Sequence, residues 1–276
     1  MPSSLRRHRA ALRAPALLPL ILLLAIASGP LPAAGEPVRL AIQPIQTAET
    51  TAEFYRPLIE YLRTQTGLPI ELATTSNFLT YWTQMKRGDY DLVLDAAHFT
   101  DYRIRELGYV PLAKMPGEVS YSLVTHPDTF IFEPAELTGK PVASLASPSL
   151  GMVRMLDLFP NPLRQPRILE AATTEAIIEM IESGKAVAGI IPTPLLNTYT
   201  QFNVVLTTEP APHVTFSASP RLPAEARSSL QRALLEAGNT AEGQAMLAAI
   251  GFTALERPEA TVYSGYAELL EGVWGY

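Results

Sequence analysis

Two stretches of the chain share one layout: Trp82-Thr-Gln-Met-Lys-Arg-Gly88-Asp-Tyr-Asp-Leu-Val-Leu94 and Ile178-Glu-Met-Ile-Glu-Ser-Gly184-Lys-Ala-Val-Ala-Gly-Ile190. In each, apolar residues at helical spacing lead to a glycine suited to a helix C-cap, then to a short apolar run of the kind that forms a buried strand. A helix–glycine–strand unit is common to all α/β proteins. Its occurrence about 96 residues apart, each time inside a longer strand–helix alternation, predicts two similar α/β lobes.

Working outward, the spacing predicts a strand at Val38–Ile42, a helix at Thr50–Gln65 stopped by Gly67, and a strand at Pro69–Ala73. The helix carries Phe54, Leu58, Ile59, Tyr61 and Leu62 on one face. A helix at Phe78–Lys86, a strand at Tyr90–Leu94, a helix at Phe99–Leu107 and strands at Val110–Ala113 and Val119–Thr125 follow. Pro127, Phe130, Phe132 and Pro134 interrupt the pattern, which restarts with a strand at Pro141–Ser144 and a helix at Ser149–Leu158. A strand at Arg167–Leu169, a helix at Thr174–Glu182 and strands at Ala186–Ile191 and Asn203–Leu206 continue it. A proline-rich return through Pro210, Pro212 and Pro220 precedes three expected helices, Ala224–Ala237, Ala241–Ile250 and Glu259–Trp274. The expected division is 36–122 with 215–276 in one lobe and 123–214 in the other. Loops at the carboxyl ends of parallel strands then face one another across a cleft, the place where such folds bind ligands.

The start of the chain reads as an export signal over residues 1–35. Arg6, Arg7, Arg9 and Arg13 precede the apolar run Ala16–Ala27, which leads to the small residues Ala33, Ala34 and Gly35. Pro19 and the shortness of the run argue against a membrane anchor. No cysteine follows, which excludes a lipid-anchored form. Cleavage takes four arginines away and leaves 17 Lys+Arg against 27 Asp+Glu, a net charge of −10. An acidic chain without a basic run is a poor match for nucleic acid or anionic membranes, and the expectation is a soluble, monomeric periplasmic protein. Absence of cysteine removes disulfides, thiolate metal sites and cysteine nucleophiles. The three histidines beyond the leader, His98, His126 and His213, show no metal-ligand spacing, so neither metal nor cofactor is expected.

With this order in place, the chain resembles the periplasmic substrate-binding proteins of phosphate, phosphite and phosphonate ABC transporters, from about Arg39 to Tyr266. The resemblance rests on Phe54–Leu62 with Thr66-Gly67-Leu-Pro-Ile, the turn Arg87-Gly88-Asp-Tyr-Asp91, and Glu136-Leu-Thr-Gly139-Lys140-Pro-Val-Ala. It extends through Thr174-Glu-Ala-Ile with Ser183-Gly184-Lys, then Pro210-Ala-Pro and Leu222-Pro-Ala-Glu. It implies the type II periplasmic-binding fold, a small-molecule ligand captured by hinge closure, and a membrane partner, either an ABC permease or a sensor.

Site candidates combine the residue reading with the resemblance. The loop Ser147-Pro148-Ser149-Leu150-Gly151 between a strand and a helix offers hydroxyls and backbone N–H groups to an anion. Where the family carries a Ser-Thr-Ser-Gly run, Pro148 and Leu150 stand in place of hydroxyl residues, and Ser149 reads equally well as a plain N-cap. Asp95 and His98 follow the first glycine turn where the family has a tyrosine; His98 is a candidate contact or a structural histidine. Thr173, Thr174 and Glu175 open the helix before the second turn, with Thr174 where the family has a histidine. Phe78 stands where the family has a pocket tyrosine, Tyr81 joins it as a candidate, and Trp82 reads as core. Gln43 ends the first strand. Asp95 and Glu175 oppose a bare anion, which leaves phosphonate or phosphate, a zwitterion, a cation and a neutral polar solute open.

Three function classes are open to an exported α/β protein of this kind. A solute-binding protein is expected. An enzyme on the same fold lacks support: no Gly-x-Ser-x-Gly turn, His-Glu-x-x-His motif or phosphate loop occurs, and His98 with Asp95 has no nucleophile beside it. A sensing or partner-binding protein of the same fold without a transport role is the alternative.

Overall fold

The computed structural model describes residues 36–271 and Val273; the expected leader over 1–35 and the end of the last expected helix at Trp274 lie outside them. Twelve strands are formed among the described residues: β1 Val38–Ile42, β2 Ile70–Ala73, β3 Leu92–Asp95, β4 Val110–Lys114, β5 Glu118–Val119, β6 Tyr121–Thr125, β7 Pro141–Leu145, β8 Arg167–Ala171, β9 Ala188–Pro192, β10 Asn203–Thr207, β11 Ala211–Pro212 and β12 Thr215–Ala218. The helices are α1 Ala48–Thr66, α2 Phe78–Lys86, α3 Ala97–Leu107, α4 Leu150–Asp157, α5 Thr174–Glu182, α6 Ala224–Glu236 and α7 Ala241–Ala249.

The strands form two five-stranded sheets with one plan. The first runs β2-β1-β3-β12-β4 and the second β8-β7-β9-β6-β10. In both, a central strand has parallel neighbours on either side, β1 between β2 and β3, β7 between β8 and β9. In both, the next strand, β12 or β6, is antiparallel. The two helix–glycine–strand units occupy matching places, α2–Gly88–β3 and α5–Gly184–β9. Gly88 and Gly184 turn at φ +70 and +71, a left-handed backbone that a side chain would strain.

Period-two alternation explains why helices cover both faces of each sheet. Leu40, Leu92 and Leu94 share a core with Leu58 and Leu62 of α1, Leu230 and Leu234 of α6 and Leu247 of α7, whereas Ala41 and Val93 pack with Tyr81, Trp82 and Phe99. In the second sheet, Leu123, Val142 and Ile190 meet Met152 and Met155 of α4; Val124, Ala143 and Ile191 meet Ile177 and Ile181 of α5. Each fully buried leucine or isoleucine contributes roughly 1.5–3 kcal/mol, enough for a cysteine-free chain to hold its fold by packing.

Three departures from expectation bear on the site. The strand expected over Val119–Thr125 breaks at Ser120: Val119 pairs with Ala211 in a two-stranded ribbon, while Tyr121 pairs with Pro192 in the second sheet. This ribbon of β5 and β11 carries both passages of the chain between the sheets. Within the proline-rich return, β12 is a buried strand of the first sheet whose polar Thr215 and Ser217 bond to Tyr263 and Arg103. The helix expected over Glu259–Trp274 is instead two short 3-10 turns, Ala260–Tyr263 and Tyr266–Leu270, separated by Gly265 at φ +92. Among the described residues, no helix is long and apolar enough to cross a membrane.

Candidate functional site

A cavity of about 470 Å³ gathers residues from both sheets. Gln43, Ile45 and Gln46 follow β1, and Ala96 follows β3; Thr174 and Glu175 open α5 from the other side. Val119 of the ribbon, Tyr121 at the start of β6, Pro192 at the end of β9 and His213 after β11 complete its polar and ribbon-side wall, with Met115, Leu195 and Phe252 apolar. The cavity therefore lies at the carboxyl ends of parallel strands, and its size suits one small molecule. Burial pushes the Tyr121 phenol up to about 12, so it stays neutral. Burial, and then the nearby Lys114, lower the His213 pKa, and its Nδ1 accepts from the Val214 N–H at 2.8 Å.

A second hollow of about 410 Å³ is lined by Asn77, Leu79 and Trp82 of the α2 region and by Ala146, Ser147 and Pro148 after β7. Direct contact separates the two hollows. The His98 Nε2 meets the Pro148 carbonyl at 2.8 Å, and Ala96 and Ala97 pack with Leu150, Val153, Ala211 and Tyr263. Both ends of the His98 contact are buried from solvent. Burial pushes the imidazole down to about 4, against the opposing effects of the Pro148 carbonyl and Asp95. Neutral His98 thus donates through Nε2, and its buried Nδ1 has no partner among the described residues.

The structure distributes the residues expected from sequence. Gln43, Thr174 and Glu175 share the first cavity, and Thr173 caps α5 by accepting from the Ala176 N–H at 3.2 Å. Ser147 lines the second hollow. Ser149 caps α4: its hydroxyl accepts from the Met152 N–H at 3.3 Å and donates to the Leu145 carbonyl at 3.4 Å, and its residue is 2% exposed. Phe78 and Tyr81 are buried, Phe78 stacked on Phe99. Asp95 is fully buried in a polar cluster and does not line the cavity. Both of its oxygens take guanidinium N–H bonds from Arg103 at 2.5 Å, the Tyr81 hydroxyl donates to it, and Arg103 reaches Ser217 at 2.8 Å. Helix α3 starts at Ala97, earlier than expected, which puts His98 on its first turn.

Most of the lining is not marked in the sequence; among its polar and aromatic residues, Gln46, Tyr121, His213 and Phe252 were not candidates. Gln46 could have been found from its place just after Gln43, and Tyr121 from the break at the crossing. Nothing local marks His213 or Phe252.

A third hollow, about 640 Å³, lies at the opposite, amino ends of the strands, against Arg39, Asp91 and Arg221. Two of its charges are paired, Arg221 with Asp91 at 3.2 Å, and the Asp91 carboxylate also accepts from the Arg39 backbone N–H. Among the described residues, no group of three or more His, Cys, Asp or Glu side chains is placed to hold a metal.

Comparison with known proteins gives the family and the fold. The model of the family described as "ABC transporter, phosphonate, periplasmic substrate-binding protein" matches residues 40–263. No curated protein matches in a sequence search. Among solved structures, the chain is similar to PhnD1 from Prochlorococcus marinus in complex with methylphosphonate, at TM-score 0.73 and 13% identity over 85% of this chain and 97% of that one. It is similar to a binding protein component of an ABC phosphonate transporter from Pseudomonas aeruginosa, at TM-score 0.72 and 14% identity over 84% and 85%. A Xanthomonas citri protein bound to ATP gives TM-score 0.69 and 14% identity over 86% and 98%. At these identities the likeness is one of fold: the two-lobed type II periplasmic-binding arrangement.

Proposed function

Because this chain belongs to the phosphonate periplasmic substrate-binding protein family of ABC transporters, we propose that it captures one small solute in the 470 Å³ cavity between its lobes and presents it to a permease. The proposed lobes are 36–122 with 215–276, and 123–214, with the change of sheet itself falling at Tyr121. Closure turns on the β5 and β11 ribbon, the two-passage connection that such a hinge needs. The protein acts in the periplasm as a monomer and binds its solute without transforming it.

One observation carries this reading. The cavity draws Gln43 and Ala96 from strand ends of one sheet and Thr174 and Glu175 from a helix start on the other. A solute seated there touches both lobes at once, so binding energy becomes closure energy. Thermal-shift screening of a broad solute library tests the proposal, because a ligand of the folded state alone raises the melting temperature in proportion to its occupancy. At least one compound should do so, and complete insensitivity would remove the solute-binding reading for this cavity.

A further inference from the structure

We propose that the solute of this cavity is a small organic ammonium compound, received by the Glu175 carboxylate against an apolar and aromatic wall, and that free oxyanions are not its ligands. The inference rests on the solute-binding reading and narrows it.

The charges facing the cavity have one sign. Glu175 is its carboxylate, and among the described residues no lysine or arginine lines it. His213 does not compensate, since burial and then Lys114 disfavour its charged form. Lys114 is itself committed: its ammonium meets Glu256 at 2.5 Å and the Met115 carbonyl at 3.1 Å. A phosphate or phosphonate entering here would meet the exposed Glu175 carboxylate with no cation among the described lining residues to offset it, a repulsion that added salt screens. The start of α5 favours an anion in principle, but Glu175 in its first turn already complements that dipole.

The loop suited to oxyanions is committed in part within the protein, although Ser147 lines the second hollow. Ser149 spends its hydroxyl on Met152 and Leu145, Pro148 has no N–H, and the Pro148 carbonyl is taken by His98. The first cavity offers complementary chemistry. Gln43, Gln46 and Thr174 bring oxygens able to accept N–H bonds, Tyr121 and Phe252 make part of the lining aromatic, and Met115 and Leu195 add apolar surface. The net charge of the chain, −6 even with the leader arginines counted, favours approach of cations over anions.

The test titrates the full-length mature protein with defined probes: choline, phenethylamine, putrescine and histamine as ammonium compounds, inorganic phosphate and methylphosphonate as oxyanions. Expected is a melting-temperature rise with at least one ammonium probe. Calorimetric affinity for that probe should fall about tenfold or more in Glu175→Gln and weaken with added salt. Glu175 is exposed, so the variant should melt like the parent. Stabilisation by phosphate or methylphosphonate overturns the ammonium assignment and leaves solute binding standing, as does an ammonium affinity unchanged in Glu175→Gln. Silence of every ammonium probe while other library compounds bind overturns it equally. Silence of the entire library defeats the solute-binding reading beneath it.

Discussion

His98 on the first turn of α3 and Pro148 in the loop after β7 are joined by a buried hydrogen bond of 2.8 Å that links elements attached to the two different sheets. The imidazole is kept neutral, since burial holds its pKa at about 4, below the ordinary 6.5; Arg103 and Arg154 lower it further, while Asp95 opposes them. A histidine whose folded pKa lies below its unfolded one binds fewer protons when folded. Its contribution is therefore fully present above about 6.5 and lost as pH falls toward 4. We expect the parent to lose roughly 2–3 kcal/mol through this group across that window, read by urea melts at pH 7, 5 and 4. His98→Gln, which cannot gain the proton, should lose less over the same range; parallel losses would assign the acid sensitivity to other groups.

The buried pair of Asp95 and Arg103 gives a second prediction. Both side chains are fully buried, and the guanidinium also meets Ser217 and Met85. Asp95→Asn leaves an arginine charge uncompensated and should cost about 3–5 kcal/mol of stability. Replacing both together, Asp95→Leu with Arg103→Met, should cost less than the single change. Chemical denaturation of the three proteins decides it; a near-neutral Asp95→Asn would mean that water reaches the pair.

Gly189 of β9 sets how closely α5, and with it Thr174, sits on the second sheet. A Cβ at this position would fall 2.6 Å from Ile177 and 2.8 Å from Ile181. Gly189→Ala should push the helix outward and cost about 1–3 kcal/mol, measured by thermal and urea melts. An unchanged melting temperature would show that α5 is free to shift.

The architecture was legible in sequence where its signals are local. Gly88 and Gly184 close amphipathic helices and precede apolar runs, and the matched positions of β3 and β9 follow. Strand β12 was missed because Thr215 and Ser217 look too polar for a buried strand until Tyr263 and Arg103, distant in sequence, satisfy them. The same non-locality misleads at the site. Asp95 and His98 stand at a strand end where ligands bind, and only the packed structure reveals that Arg103 and Pro148 already occupy them. Phe78 and Tyr81 have helical spacing that suits either a cleft or a core, and spacing alone does not choose. Gln43, Thr174 and Glu175 were legible because their positions depend on element ends, which local sequence defines well.

The central claim, that solute is held at the Gln43 and Thr174 cavity, is tested most directly by calorimetric titration of the compound giving the largest thermal shift. Parent, Gln43→Ala, Thr174→Ala and Ser149→Ala are compared. The account predicts one site per chain, with affinity weakened by roughly 1–3 kcal/mol in Gln43→Ala and Thr174→Ala and their unliganded melting temperatures nearly unchanged. Ser149→Ala should keep its affinity and lose about 1 kcal/mol of stability, the worth of an N-cap. Affinity intact in the first two variants and lost in Ser149→Ala would contradict the account and move the site to the serine loop.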